Sequence, residues 1–270
     1  MCTVTVVRTA GLLRVACNRD ESRQRPAAYA PFIMRAGARQ VLTPQDPQGR
    51  GTWIAANSAG IVFALLNVNS IPTPPLSRFR SRGLIIPMAA ECSSIDEIAW
   101  RVEDIRQEPF APCRLIVADD DVVVVVSIGT GQREIEVYPL AHPLLFTTSS
   151  LGDALVDGPR RLLFEQMIPS TALRADPSSA FRAGRAGDLA AQQDAFHAHR
   201  WRDRPAVSVH MSRPDACTVS TTVVEVTEDE VRMVYQPSFC DAGIPVGLII
   251  SRNQGDNDAA PRPCREYAAV

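Results

Sequence analysis

The stretch Met1-Cys2-Thr3-Val4-Thr5-Val6-Val7-Arg8-Thr9-Ala10-Gly11-Leu12-Leu13-Arg14-Val15-Ala16-Cys17-Asn18-Arg19-Asp20-Glu21 decides the fold class. Residues 3–7 and 12–17 are rich in Val, Thr and Leu and predict two strands, joined by four residues whose glycine accepts a positive φ. Working outward, 52–56 and 61–66 predict a second hairpin around Asn57-Ser58-Ala59-Gly60, almost wholly apolar and so buried on both faces. A third is expected over 114–118 and 122–127 across Asp119-Asp120-Asp121, a single strand over 134–138, and a last hairpin over 218–226 and 231–235. Helices are expected at about 83–90, 94–103, 158–167 and 189–201; Ser94 and Glu97 have capping-box spacing at the start of the second. Residues 18–51, punctuated by four prolines, read as irregular, and the tail from about 236 reads as partly loose. Hairpins at both ends with helices between and no clean linker describe one α+β domain over 1–270, built on antiparallel sheets.

A chain of 270 residues buries about 73% of its unfolded surface and needs no disulfide or metal staple to hold a core. Its net charge of −2 offers no global field to nucleic acid or an anionic membrane. All of the basic residues are arginine; the absence of lysine excludes a Schiff-base enzyme, a lysine-dependent P-loop and a lysine general base. Seven widely spaced cysteines form no CxxC pair, which argues against a zinc ribbon, a thioredoxin motif or a secreted disulfide scaffold. With no signal-peptide pattern at the amino terminus and no apolar run of spanning length, the expectation is a soluble cytoplasmic protein with free thiols and no bound cofactor or metal.

Cys2 carries the sharpest chemistry. Removal of Met1 leaves a thiol and a free α-amine on one residue, groups that ordinarily titrate at ~8.5 and ~7.7–8.0, so nucleophile and base come together without a histidine. Against this stands the bland reading of a chance second residue. Asn18-Arg19-Asp20-Glu21 offers a guanidinium to favour the thiolate and a carboxylate to orient the amine; alone, four polar residues after a strand read equally as a solvated turn. A four-residue connection places position 2 opposite 17 or 18, bringing this cluster beside Cys2. Asn57 supplies turn geometry. Asn67 ends an apolar strand, where its amide either donates to an oxyanion or merely closes the strand.

The start Met1-Cys2-Thr3-Val4, the block 16–22, the runs 51–60 and 65–67, and the late segment 213–224 resemble the NRDE family, called transport and Golgi organisation 2 in eukaryotes. The resemblance extends nearly end to end. That family is similar to the N-terminal-nucleophile (Ntn) hydrolases, whose four-layer αββα sandwich of two antiparallel sheets is therefore the implied fold. Within them it is similar to the cysteine branch of bile salt hydrolases, penicillin V acylases and isopenicillin-type acyltransferases. The resemblance implies Cys2 as nucleophile, Asp20 as the carboxylate near the α-amine and Asn67 as the oxyanion asparagine, with Asn18 and Arg19 in the same catalytic block. The sequence departs from the branch at Cys17, where an arginine is usual. At the branch's mid-chain asparagine it offers hydroxyls, among them Ser150, and Arg213 stands in for a late arginine; Ser150 and Arg213 are the expected substrate-binding pair.

His197-Ala198-His199 has i, i+2 spacing, a poor metal pair on a helix. Arg78, Arg80 and Arg82 alternate in a Pro-rich loop, either solvated or lining the path of an anionic substrate. The first functional expectation is a cysteine amidohydrolase or acyltransferase acting on an amide or thioester of a small acyl compound. Two alternatives remain. One, which the family resemblance allows, is a non-catalytic handler of a hydrophobic ligand, haem, acyl-CoA or lipid, with Cys2 or a histidine such as His210 on haem iron. The other is an inactive fold serving as an interaction module.

Overall fold

Residues 2–9, 11–69, 78–106, 109–129, 134–169, 182–238 and 244–252 are described by the structure, a computed structural model. In chain order the strands are β1 (Cys2–Thr9), β2 (Leu12–Ser22), β3 (Tyr29–Ala36), β4 (Arg39–Gln45), β5 (Ile54–Asn57), β6 (Val62–Asn67), β7 (Cys113–Ala118), β8 (Val122–Ile128), β9 (Ile135–Pro139), β10 (Leu144–Thr148), β11 (Ala216–Val226), β12 (Glu230–Pro237) and β13 (Val246–Ser251). The helices are α1 (Ile85–Ala89), α2 (Ile95–Arg106), α3 (Asp153–Met167) and α4 (Arg182–Ala198). The first sheet runs β10-β1-β2-β11-β12-β13; the second is a meander from β3 to β9.

Alternation along β1 and β2 builds the layers. Val4, Val6, Leu13, Val15 and Cys17 join Ile54, Val62, Ala64, Leu66, Val123 and Val125 of the second sheet in one core between the sheets. Val7 on the opposite face packs with Phe164 of α3 and with Leu189 and Phe196 of α4. On the outer face of the second sheet, Phe63, Leu65, Leu115 and Val126 bury Ile85, Ile86, Ile98 and Val102 of α1 and α2. The result is four layers, helices–sheet–sheet–helices, in an α+β fold, as the resemblance implies. Each fully buried aliphatic side chain in these cores contributes about 1.5–3 kcal/mol.

Local signals hold where their partners are local. Ser94 Oγ accepts from the Glu97 N–H and Glu97 Oε2 accepts from the Ser93 N–H, a capping box at the start of α2. Asn57 accepts from the Ala59 and Ile61 N–H groups and donates to the Ala90 and Cys92 carbonyls, so one buried amide closes the β5–β6 turn and ties it to the end of α1.

Several expectations are corrected. Asn18-Arg19-Asp20-Glu21 is no turn: β2 runs on to Ser22 because β11 pairs with it along its length. The 18–51 stretch carries the end of β2 together with β3 and β4. The β1–β2 connection is tighter than four residues, with Thr9 opposite Leu12 and Gly11 at φ +79°. Cys2 is therefore opposite Arg19 rather than 17 or 18, and a one-residue slip exchanges the faces. β10 is a further strand beyond those expected, α3 starts at Asp153 and α4 ends at Ala198. The tail contributes β13 to the edge of the first sheet through pairing with β12; residues 253–270 lie outside the described ones. Among the described residues no helix is long and apolar enough to cross a membrane.

Candidate active site

Cys2 lies between Arg19 of β2 and Thr148 of β10. Directly opposed residues of antiparallel strands share a face, so all three look into the cleft between the sheets, and only 6% of Cys2 is exposed. From the second sheet, the end of β6 meets this row: Thr148 Oγ1 donates to the Asn67 carbonyl at 2.5 Å, and Asn69 Nδ2 donates to Thr148 Oγ1 at 3.3 Å. The Arg19 guanidinium lies 4.2 Å from the centre of the Trp53 ring. It is also 3.5 Å from Asp46 and 3.7 Å from Glu21. Arg25 completes this cluster by pairing with the same two carboxylates.

Cys17, two positions along β2 on the same face, hydrogen-bonds the Cys2 thiol. That bond holds Cys2 below the ordinary thiol range against the effect of burial, with the amino terminus and Arg19 assisting and Asp20 opposing. The same bond, reinforced by burial, raises Cys17 well above that range. Burial drives Cys92 to about 11 and Cys113 to about 12. Thiolate character is thus favoured at Cys2 over these three.

Asp20 lies one step beyond the Cys2 level on the opposite face, where it accepts from Thr218 Oγ1 at 2.6 Å. Burial raises its pKa; Arg160, the amino terminus, Thr218 and Arg213 oppose the rise. Arg160, fully buried on α3, donates to Thr3 Oγ1 at 2.7 Å and to the Ser208 and Val207 carbonyls at 2.7 and 3.1 Å. Arg213 donates to Ser150 Oγ at 3.3 Å and pairs with Asp215. The expected pair Ser150 and Arg213 is therefore brought together on the Asp20 side, while Cys2 and Arg19 share the cleft.

Asn18 is not at the cleft. Its amide donates to the His197 and Val209 carbonyls and accepts from Thr221 Oγ1, and its Oδ1 lies 3.0 Å from His197 Nδ1. Asn18 thereby clamps the end of α4 to the sheet. Asn67 reaches the Cys2 level through its main chain; strand alternation sends its side chain the way of Cys113, its partner on β7. Thr148, Asn69 and Arg160 carry no site signal in the sequence strong enough to be read alone, whereas Arg82 stands in the arginine-rich loop read as either solvated or lining the path of an anion. Thr148 lies two residues before Ser150 and was within reach, whereas a helical arginine such as Arg160 reads as solvated until the β1–α3 packing is known.

Among the described residues no three metal-ligating side chains cluster. His210 contacts Ser238 and Arg200, and burial pushes it down to about 4. His197, likewise buried, is pushed down to about 3 and contacts Thr5 Oγ1 at 2.7 Å. The unfolded chain takes up this proton near pH 6.5 and the native one only near 3. The stability conferred by His197 is therefore complete above about pH 6.5 and falls by about 1.4 kcal/mol per unit as pH drops toward 3. Urea titrations at a series of pH values should show this slope in the wild type and a flatter one in His197→Gln.

Solved structures of similar architecture include a penicillin V acylase from Agrobacterium tumefaciens, at 13% identity and a TM-score of 0.50 over 93% of this chain and 86% of that one. A Caenorhabditis elegans N-acylethanolamine-hydrolyzing acid amidase ortholog matches at 15% and 0.49, covering 82% of this chain and 92% of its own. A conjugated bile acid hydrolase from Clostridium perfringens matches at 14% and 0.43, covering 92% and 96%. At such identities the acylase match establishes the fold alone. No curated protein sequence matches the chain. A family model described as Transport and Golgi organisation 2 matches residues 1–153.

Proposed function

The chain belongs to the transport and Golgi organisation 2 family, and on that premise we propose that it is an N-terminal-nucleophile cysteine amidohydrolase or acyltransferase acting on an amide or thioester. The observation that carries this reading is the Cys2 thiol set in the cleft between Arg19 and Thr148, held below its ordinary pKa. Removal of Met1 frees the α-amine, which takes the thiol proton directly or through a water. The Cys2 sulfur then adds to the substrate carbonyl carbon. Asn69 Nδ2 and main-chain N–H groups at the end of β6, beside Asn67, hold the oxyanion, while Thr148 Oγ1, whose own proton goes to the Asn67 carbonyl, fixes the Asn69 amide. Collapse breaks the C–N or C–S bond, and the α-ammonium returns its proton to the leaving group. Water or an amine resolves the thioester and restores the thiol.

In this mechanism Arg19 favours the thiolate from the cleft, and Asp20 fixes the α-amine from the other face. Asn18 positions the sheet beneath them through its clamp on α4. Ser150 and Arg213, tied together beside Asp20, hold the segment that closes over the amine.

The test is burst release from chromogenic acyl amides and acyl thioesters, with intact-mass measurement to report loss of Met1. Cys2→Ala is expected to abolish the burst and lower turnover by at least about 10³-fold. Equal activity in the two proteins ends the mechanism.

A further inference from the structure

Around Cys2 the guanidinium groups outnumber the carboxylates. Arg19, Arg25 and Arg82 face the same region, and Glu21 and Asp46 are the acids among them. Arg25 is engaged by Asp46, and Arg19 shares both acids at 3.5–3.7 Å. Arg82 donates to the Pro112 carbonyl at 3.2 Å and has no carboxylate within ion-pair distance among the described residues. The same Pro112 carbonyl accepts from the Val68 N–H, next to Asn67, whose carbonyl bonds Thr148 opposite Cys2, so Arg82 stands at the Cys2 end of the cleft.

Arg82 is held there by backbone. The Thr52 N–H donates to the Gly83 carbonyl at 3.0 Å, and a side chain on Gly51 would meet the Gly83 backbone at 2.3 Å. Only glycines allow the loop before Trp53 and the loop carrying Arg82 to touch. A half-buried cation without a counter-ion is costly, so the close approach fixes an arginine where an incoming anion would neutralise it.

The cleft beneath is also polar. Trp53 Nε1, Ser220 Oγ and Thr222 Oγ1 are buried with no hydrogen-bond partner. Ser220 is opposite Arg19 and Thr222 is opposite Cys17, so both hydroxyls share the face of Cys2. Each such group costs about 1–3 kcal/mol unless something bonds to it. A separate cavity, sharing Arg19 with this row, is lined also by Glu21, Arg23, Arg25, Cys217 and Val219.

We infer that the substrate acted on at Cys2 is an anionic acyl compound, with a carboxylate a few bonds from the scissile carbonyl held by Arg82 and Arg19. The inference rests on the hydrolase reading for its chemistry, but its test does not require turnover. The rates at which iodoacetate and iodoacetamide alkylate Cys2 are compared by mass spectrometry of the amino-terminal peptide. Both reagents transfer a carbon to sulfur and release iodide; they differ in the carboxylate.

Wild-type protein is expected to react at least as fast with iodoacetate as with iodoacetamide. Arg82→Gln should slow iodoacetate by about tenfold with little change for iodoacetamide, and Arg82→Lys should restore much of the difference. Iodoacetate lagging in wild type by the same ratio as in Arg82→Gln overturns the inference, as does an equal fall for both reagents. Turnover retained in Cys2→Ala, together with the iodoacetate preference at Cys2 of the wild type, would instead sink the hydrolase reading and leave the anion site standing.

Discussion

Asp20→Asn is expected to lower turnover by about 10²- to 10⁴-fold while leaving the fold in place. The amide has the shape of the carboxylate and can still accept the Thr218 hydroxyl, which bonds Asp20 at 2.6 Å. What disappears is the charge that, in the proposed mechanism, holds the freed amine of Cys2. Because burial raises the pKa of Asp20, the acid limb of the wild-type pH–rate profile should fall above the range of an exposed carboxylate. That limb should vanish in the variant. The native protein binds this proton more tightly than the unfolded chain does. Asp20 therefore subtracts stability once the pH exceeds its unfolded value, with the full subtraction reached above its folded value. Asp20→Asn should melt no lower than wild type at neutral pH. Undiminished turnover with an unchanged acid limb would remove Asp20 from the reaction.

Arg160→Met should destabilise the protein by about 3–5 kcal/mol, the usual consequence of deleting one member of a buried charged network. Methionine fills much of the space but leaves Thr3 Oγ1 and the Val207 and Ser208 carbonyls without their donor. It also removes the cation that most opposes the rise of the Asp20 pKa. Whatever activity the variant keeps should show its acid limb at a higher pH than wild type. Urea denaturation reads the first effect and the pH–rate profile the second. A loss of stability under about 1 kcal/mol would show that water replaces the guanidinium at little cost.

The hairpins of the second sheet were legible because each is closed by its own neighbours: Asn57 orders the β5–β6 turn with groups two and four residues away. The first sheet was harder, since β1 draws one partner from β2 and the other from β10, far along the chain. A proline-marked stretch hid β3 and β4, which pair with each other and with β5. In the site, Cys2, Arg19 and Asp20 could be named from spacing and from the family resemblance. The faces could not, because the tighter first turn moves Asn18 from the expected site to the helix layer. Arg82 and Thr148 depend on pairings that only the folded chain makes.

Because β2 presents Arg19 to one side and Asp20 to the other, the two functional atoms of Cys2 are served by separate neighbourhoods. In the proposed reaction Arg19, Thr148, Arg82 and the Trp53 loop attend the sulfur and the incoming carbonyl, and Asp20, with Arg160 and Arg213 behind it, attends the nitrogen. What is recognised and how the proton travels can then be altered from different faces, although the charge of Asp20 still opposes the lowering of the Cys2 thiol across the strand. Redesigning Trp53, Ser220 and Thr222 for a different acyl group would leave the basicity of the terminal nitrogen untouched, and repacking α3 would retune that nitrogen without altering what fits between the sheets.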